Sequence, residues 1–259
     1  MNAHNNHLPL HPAQLEVYYD QMMDVESPHY NAGGYVALKG QLQKEKLLLA
    51  YQTYLEATDI HKISFDFSQD QPSCYFNDQT LPSAAKLFDF SQEMDAEAAA
   101  FAWMKQEFNA PFDLYGETLY EYGILKISEH HHLLYCKYHH LLTDGFGYGK
   151  GLLYITEKYN QLVGAPFKEE RLVVYRYEDE ILKANAYLKS AKYEADRDYW
   201  LSRFQQPTQA VLTKRHDVSH CKKSETILFD IAPSQIAHYK EVDKQLSFSV
   251  QQLTLAALH

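Results

Sequence analysis

The sequence predicts an α+β fold, a mixed and largely antiparallel sheet flanked by helices. Three observations carry that expectation. Two alternating runs, "TLYEYGILKI" (118–127) and "HHLLYCKYHH" (131–140), are joined only by "SEH", a link that suits an antiparallel pair. "ISFDF" (63–67) and "SCYF" (73–76) alternate in the same way around "SQDQP" and read as a hairpin. Helical runs interrupt these strands irregularly, not one for one as a βαβ series requires.

Taken in order, Pro12 marks a helix start in "LHPAQLEVYYDQMM", with Leu15, Tyr18, Tyr19 and Met22 as its apolar face. The turn-like "ESPHYNAGG" leads to a strand over 35–39. "QKEKLLLAYQTYLEA" (43–57) sets Leu47, Leu48, Tyr51, Tyr54 and Leu55 at helical spacing. Ser91 is the N-cap expected for an Ala-rich helix over 92–108, which ends before "APFDLYGE". Beyond the two long strands, Leu152, Ile155, Tyr159 and Leu162 give a helix over 148–163. A polar, Tyr-rich helical stretch spans about 178–204. "ETILFDIAP" (225–233) reads as a strand, and the residues after it as two helical pieces. The last of these, "SVQQLTLAALH", is apolar with nothing after it, so the chain is expected to be a fragment.

Composition narrows the function classes. With 259 residues, 46% hydrophobic and 22% charged, the chain is ordinary globular material able to bury a core. A net charge of −10 argues against a nucleic-acid partner, which needs clustered Lys and Arg. Cys74, Cys136 and Cys221 are widely spaced and suggest neither a disulfide framework nor a zinc finger. No signal peptide and no apolar run of roughly 18 residues is read, so no membrane partner is expected. A cytoplasmic protein is the expectation.

The chemistry-bearing stretch is "CKYHHLLTDGFGYGKG" (136–151). Successive strand residues face opposite sides, so His139 and His140 cannot both face one cavity while the strand persists. One can act at a strand mouth while the other is an internal hydrogen-bonding prop. Asp144 follows a loop short enough to fold back on the pair. Gly145 permits unusual dihedrals or close ligand approach, and Gly147 and Gly149 keep the corner clear. A general base needs a neutral imidazole near pH 7, which a reference value of about 6.5 provides. The residues alone leave alternatives: strand-end histidines bonded to backbone, or a metal site with His130, His131 and His132, which lacks ligands at familiar spacing.

The string His139-His140-Leu-Leu-Thr-Asp144-Gly145 resembles the HHxxxDG signature of nonribosomal peptide synthetase condensation domains, in the chloramphenicol acetyltransferase-like superfamily. "LHPAQLEVYYDQM", with Ala13 and Gln14, resembles the family's opening helix, and "YNAGGYVALKG" its first strand. "APFDLYGETLYEYGILKI" is similar to the segment before the histidine strand, and "YEADRDYWLSRF" to the helix after the first lobe. "LSFSVQQLTLAALH" is similar to the start of the second lobe. The family's RHExLRTxF motif falls on "ATDIHKISF" (57–65), where Asp59 stands for Glu and Lys62 for the second Arg. Lys62 keeps the charge that in the family pairs with the motif aspartate, here Asp144, but loses the planar fork.

The resemblance implies one lobe over 1–170, a linking helix region over 171–222, and the beginning of a truncated second lobe over 223–259. It implies amide formation between a donor acyl or peptidyl thioester and an acceptor aminoacyl amine. Both ride on phosphopantetheine arms of carrier proteins beside an adenylation domain, and the domain itself binds no cofactor. His140 would meet the reacting amine, removing its proton or positioning it. His139 and Asp144 would complete the catalytic constellation, Gly145 would leave room for the acceptor arm, and Lys62 would support the site. A starter domain at a synthetase N-terminus is expected. An epimerisation domain and a non-catalytic recruiting scaffold are the alternatives.

Overall fold

In a computed structural model, residues 7–77, 83–115 and 118–206 are described, with a few isolated positions beyond. The chain forms two compact units, Met1–Val211 and Leu212–His259. The strand expected at 225–233 and the helices after it fall almost wholly outside the described residues.

The first unit is built on a four-stranded sheet. Its strands are β2 (Asn31–Lys39), β5 (Lys86–Asp89), β6 (Tyr120–Ser128) and β7 (His131–His139), in the order β2-β7-β6-β5. β6 and β7 pair antiparallel, as their alternation and short link predict, and β2 runs antiparallel along the other side of β7. β5 joins β6 in parallel and makes the sheet mixed. A second sheet of β1 (Leu8–Pro9), β3 (Ile63–Asp66) and β4 (Ser73–Phe76) contains the expected hairpin.

β7 is buried on both faces, and its side-chain parity sorts two layers. Leu134, Cys136 and Tyr138 point into the main core. There they meet Tyr122 and Ile124 of β6, α2 (Lys44–Ala57) and α4 (Gly145–Val163). Leu133 and Tyr135 face the other way, toward Ala100 and Met104 of α3 (Ala96–Phe108). Burying a leucine such as Leu47 or Leu134 is worth about 1.5–3 kcal/mol. β2 lies unusually close to β7: a Cβ on Gly33 would stand 2.2 Å from the Cys136 carbonyl oxygen.

The high tyrosine content has a physical account. Tyr122 and Tyr138 hydroxyls are 2.7 Å apart, and Tyr138 lies 2.9 Å from His61 Nε2. His61 Nδ1 is 2.6 Å from Thr58 Oγ1, which donates to the Tyr54 carbonyl. Tyr51 and Tyr120 both bond the backbone of Ser83. Phenol rings thus fill the core while the hydroxyls of Tyr51, Tyr120, Tyr122 and Tyr138 find partners; that of Tyr135, in the layer against α3, is buried without one among the described residues.

Three helix boundaries differ from expectation. Ser91 does not cap α3: its N–H and hydroxyl both bond Asp89, and Asp95 caps the helix by accepting from Ala98 N–H at 3.0 Å. α4 begins at Gly145, three residues before the expected start, because Asp144 caps it. The Tyr-rich stretch is two helices, α5 (Tyr177–Leu188) and α6 (Ala191–Arg203), broken at Ser190, whose hydroxyl caps the second. α1 (Pro12–Met22) forms as predicted, but the residues it buries are Gln14 and Gln21, while Tyr19 is exposed.

Candidate active site

β7 delivers the histidines to opposite environments. His139 ends the strand and is 2% exposed; its Nδ1 accepts from Leu141 N–H at 3.1 Å and its Nε2 meets Gln21 Oε1 at 3.2 Å. Burial, with the neighbouring His140, pushes its pKa down to about 4, so it is neutral near pH 7. The backbone then turns. His140 N–H donates to the Tyr30 carbonyl at 2.8 Å, and His140 lines a cleft of about 1130 Å³. The His140 ring has no hydrogen-bond partner among the described residues and makes an edge contact with Tyr30.

The cleft lies between α1, α2, α4 and the segment leading into α5. Val17, Tyr54, Leu142, Leu153 and Val173 give it apolar walls, and Asp144, Lys150 and Arg171 lie around it. It lies a little above the usual upper end for small-molecule sites.

Asp144 is exposed, and its Oδ1 accepts from Gly147 N–H at 2.8 Å as the N-cap of α4. It forms no ion pair with Lys62, contrary to expectation. Lys62 sits at the end of the turn that feeds β3, and the carboxylate is instead committed to the first turn of α4. Gly145 does not adopt a left-handed backbone; the described glycines that do are Gly40 and Gly164. A Cβ on Gly145 would meet only the Tyr148 ring, at 3.9 Å, so the space beside it is open. Gly147 is different, since a Cβ there would lie 2.0 Å from Thr143 Oγ1. His130, His131 and His132 lie at the opposite end of β7, and no metal-competent group of side chains is gathered among the described residues.

Several site-forming residues are not evident from sequence. Gln14, noted there only as part of a motif, donates to the Leu141 carbonyl at 2.8 Å and accepts from His11 N–H at 3.0 Å. Gln21 grips His139, and Asp59 accepts from Tyr177 N–H and Glu178 N–H, at 2.8 and 3.0 Å, capping α5 and tying the cleft wall to α2. The readable signal is the seven-residue spacing of the glutamines, which puts both on one face of α1 two turns apart.

The fold and site define an α+β lobe with a histidine pair at the end of β7 beside a cleft, and its fold is shared with solved condensation domains. The starter condensation domain of rhizomide synthetase RzmA is 24% identical with a TM-score of 0.69, over 76% of this chain and 48% of that one. A variant of it in complex with C8-CoA gives 24% and 0.71, over 78% and 46%. The first condensation domain of the CDA synthetase gives 23% and 0.63, over 77% and 50%. The model of the condensation domain matches residues 4–259, and the chain belongs to this family of nonribosomal peptide synthetase domains. Among curated proteins, isonitrile lipopeptide synthase of Streptomyces coeruleorubidus is 31% identical over 204 residues, 76% of this chain and 13% of that protein. Surfactin synthase subunit 1 of Bacillus subtilis is 22% identical over 258 residues, 96% and 7%. The chain thus spans about half of the solved domains and a small part of the synthetases. No described helix is long and apolar enough to cross a membrane.

Proposed function

We propose that this chain supplies the histidine-bearing lobe of a starter condensation domain. The domain joins an acyl thioester to the amine of an aminoacyl thioester, both on phosphopantetheine arms of carrier proteins, beside an adenylation domain. The observation that carries the reading is the division of labour at the strand end: His139 is buried and neutral, while His140 lines the cleft with a ring that has no hydrogen-bond partner among the described residues.

The acceptor nitrogen attacks the donor carbonyl carbon; a C–N bond forms, the C–S bond breaks, and the departing sulfur takes up the proton lost by nitrogen. His140 accepts a hydrogen bond from the attacking amine. An α-amino group has a reference pKa near 7.7–8.0, so a fair share is neutral without help. Holding it in line is worth as much as or more than the roughly 10²–10⁴-fold typical of a general base. The open space at Gly145 gives the acceptor arm its approach, and Asp144 orders the loop by capping α4. The apolar wall of Val17, Leu142 and Leu153 suits an acyl donor. The RzmA starter domain solved with C8-CoA supports that choice by likeness of fold.

The test supplies the synthetase containing this lobe with a medium-chain acyl thioester and an aminoacyl carrier protein. An N-acyl aminoacyl product, seen by mass spectrometry, is expected. Product only with a peptidyl donor would assign an elongation role. The isolated 259 residues, about half of a solved domain, are expected to form no amide, since one lobe leaves the reacting atoms outside the roughly 3–3.5 Å that attack requires. A second reading, a recruiting scaffold, draws on the missing Asp144–Lys62 pair; unchanged turnover after loss of the His140 imidazole would favour it.

A further inference from the structure

We infer that Gln21 and Gln14 are positioning residues: a two-point clasp on α1 that fixes the tautomer of His139 and, through it, the turn that carries His140. The role assigned to His140 rests on the function proposed above; the clasp itself does not.

The proton positions follow from the partners. The Gln21 amide nitrogen lies 2.7 Å from the Asp24 carbonyl, 3.1 Å from that of Ser27 and 3.3 Å from that of Val25. Carbonyl oxygens only accept, so this side of the amide must be the NH₂ group. The Gln21 carbonyl oxygen therefore faces His139 Nε2, and that nitrogen must donate. In a neutral ring the proton then sits on Nε2, leaving a lone pair on Nδ1. That lone pair receives Leu141 N–H at 3.1 Å. The opposite tautomer would set two donors against each other at Leu141 and two acceptors against each other at Gln21.

The second point of the clasp holds the other side of the same peptide segment. Gln14 donates to the Leu141 carbonyl at 2.8 Å, so Leu141 is tied at both its N–H and its C=O by side chains that α1 controls. His140 lies between His139 and Leu141, with its own N–H on the Tyr30 carbonyl. The N–H groups of His139, His140, Leu141 and Leu142 are all bonded, and the His140 ring has no hydrogen-bond partner among the described residues. Both glutamines are almost fully buried, as an internal brace requires.

The test measures ring nitrogen shifts of His139 by long-range ¹H–¹⁵N correlation in the 259-residue chain. A single Nε2–H form is expected, and a His139 carrying its proton on Nδ1 would overturn the inference without any variant. In Gln21→Leu the Leu141 N–H still favours the Nε2–H form, but that proton loses its acceptor, and the His139 Nε2–H and His140 ring signals should shift and broaden or split. His139 Nε2–H and His140 ring signals unchanged from wild type in that variant would equally overturn it. In the intact synthetase, Gln21→Leu should lower kcat for amide formation about 10-fold or more, with KM for the acceptor little changed, because misplacement by an ångström costs on the order of 10²-fold. A variant that loses KM and kcat alike through unfolding is separated by the wild-type tautomer. Absence of amide formation in the wild type would sink the proposed function and leave the tautomer result standing.

Discussion

His61 Nε2 lies 2.9 Å from the Tyr138 hydroxyl, inside the main core and one strand residue before the histidine pair. Thr58 gives its proton to the Tyr54 carbonyl, so His61 Nδ1–H donates to Thr58 and Nε2 accepts from Tyr138. Protonation of the ring would reverse that last bond and place a charge inside the core. Burial accordingly pushes the His61 pKa down to about 3.

This sets the acid sensitivity of the lobe. His61 and His139 bind protons far less readily folded, at about 3 and about 4, than unfolded, at about 6.5. The unfolded chain therefore holds more protons below 6.5. The stability these neutral rings contribute is complete above pH 6.5 and falls as pH drops toward 4. His139 alone accounts for about 3 kcal/mol by pH 4. Urea titrations across this window should show the fall. In His61→Leu the slope should flatten, and an unchanged slope would remove His61 from the account.

Asp144→Ala should cost about 1 kcal/mol, the loss of a helix N-cap, and Asp144→Asn nearly nothing. A buried ion pair with Lys62 would instead show as a loss of about 3–5 kcal/mol. A double-mutant cycle between Asp144 and Lys62 should give a coupling near zero by denaturant titration.

Asp59→Ala removes two backbone bonds at the start of α5 and should cost about 1–2 kcal/mol. Hydrogen exchange at Tyr177 and Glu178 should accelerate more than exchange within β6. Equal acceleration in both would mean that Asp59 acts on the whole lobe and not on the cleft wall.

Gly33→Ala should be among the most damaging single substitutions in the sheet. The added methyl would stand 2.2 Å from a backbone oxygen of β7, which cannot swing aside as a side chain could. A loss of about 3 kcal/mol or more is expected, at the upper end for overpacking. A thermal midpoint within a degree or two of wild type would contradict the close strand approach.

Much of this was legible in the sequence, for reasons that can be named. Alternation of period two and a three-residue link made β6 and β7 readable, and the same parity separated His139 from His140. β5 was missed because four residues, "KLFD", pair in parallel with a distant strand and show no local signal. Ser91 and Asp95 are both good caps, and the choice fell to Asp95 once Asp89 had engaged Ser91. The break between α5 and α6 carries neither Gly nor Pro, only a serine cap. The brace around the histidines was the least legible, since Gln14 and Gln21 are ordinary helix formers whose burial depends on the docking of α1.

The central claim is that His140, and not His139, meets the reacting amine. The most direct measurement is single-turnover amide formation by the intact synthetase carrying His140→Ala, with loaded donor and acceptor carrier proteins. A rate loss of roughly 10²-fold or more is expected, with the thermal midpoint kept, because the His140 ring makes no hydrogen bond among the described residues. Amide formation at the wild-type rate in a folded variant would contradict the account.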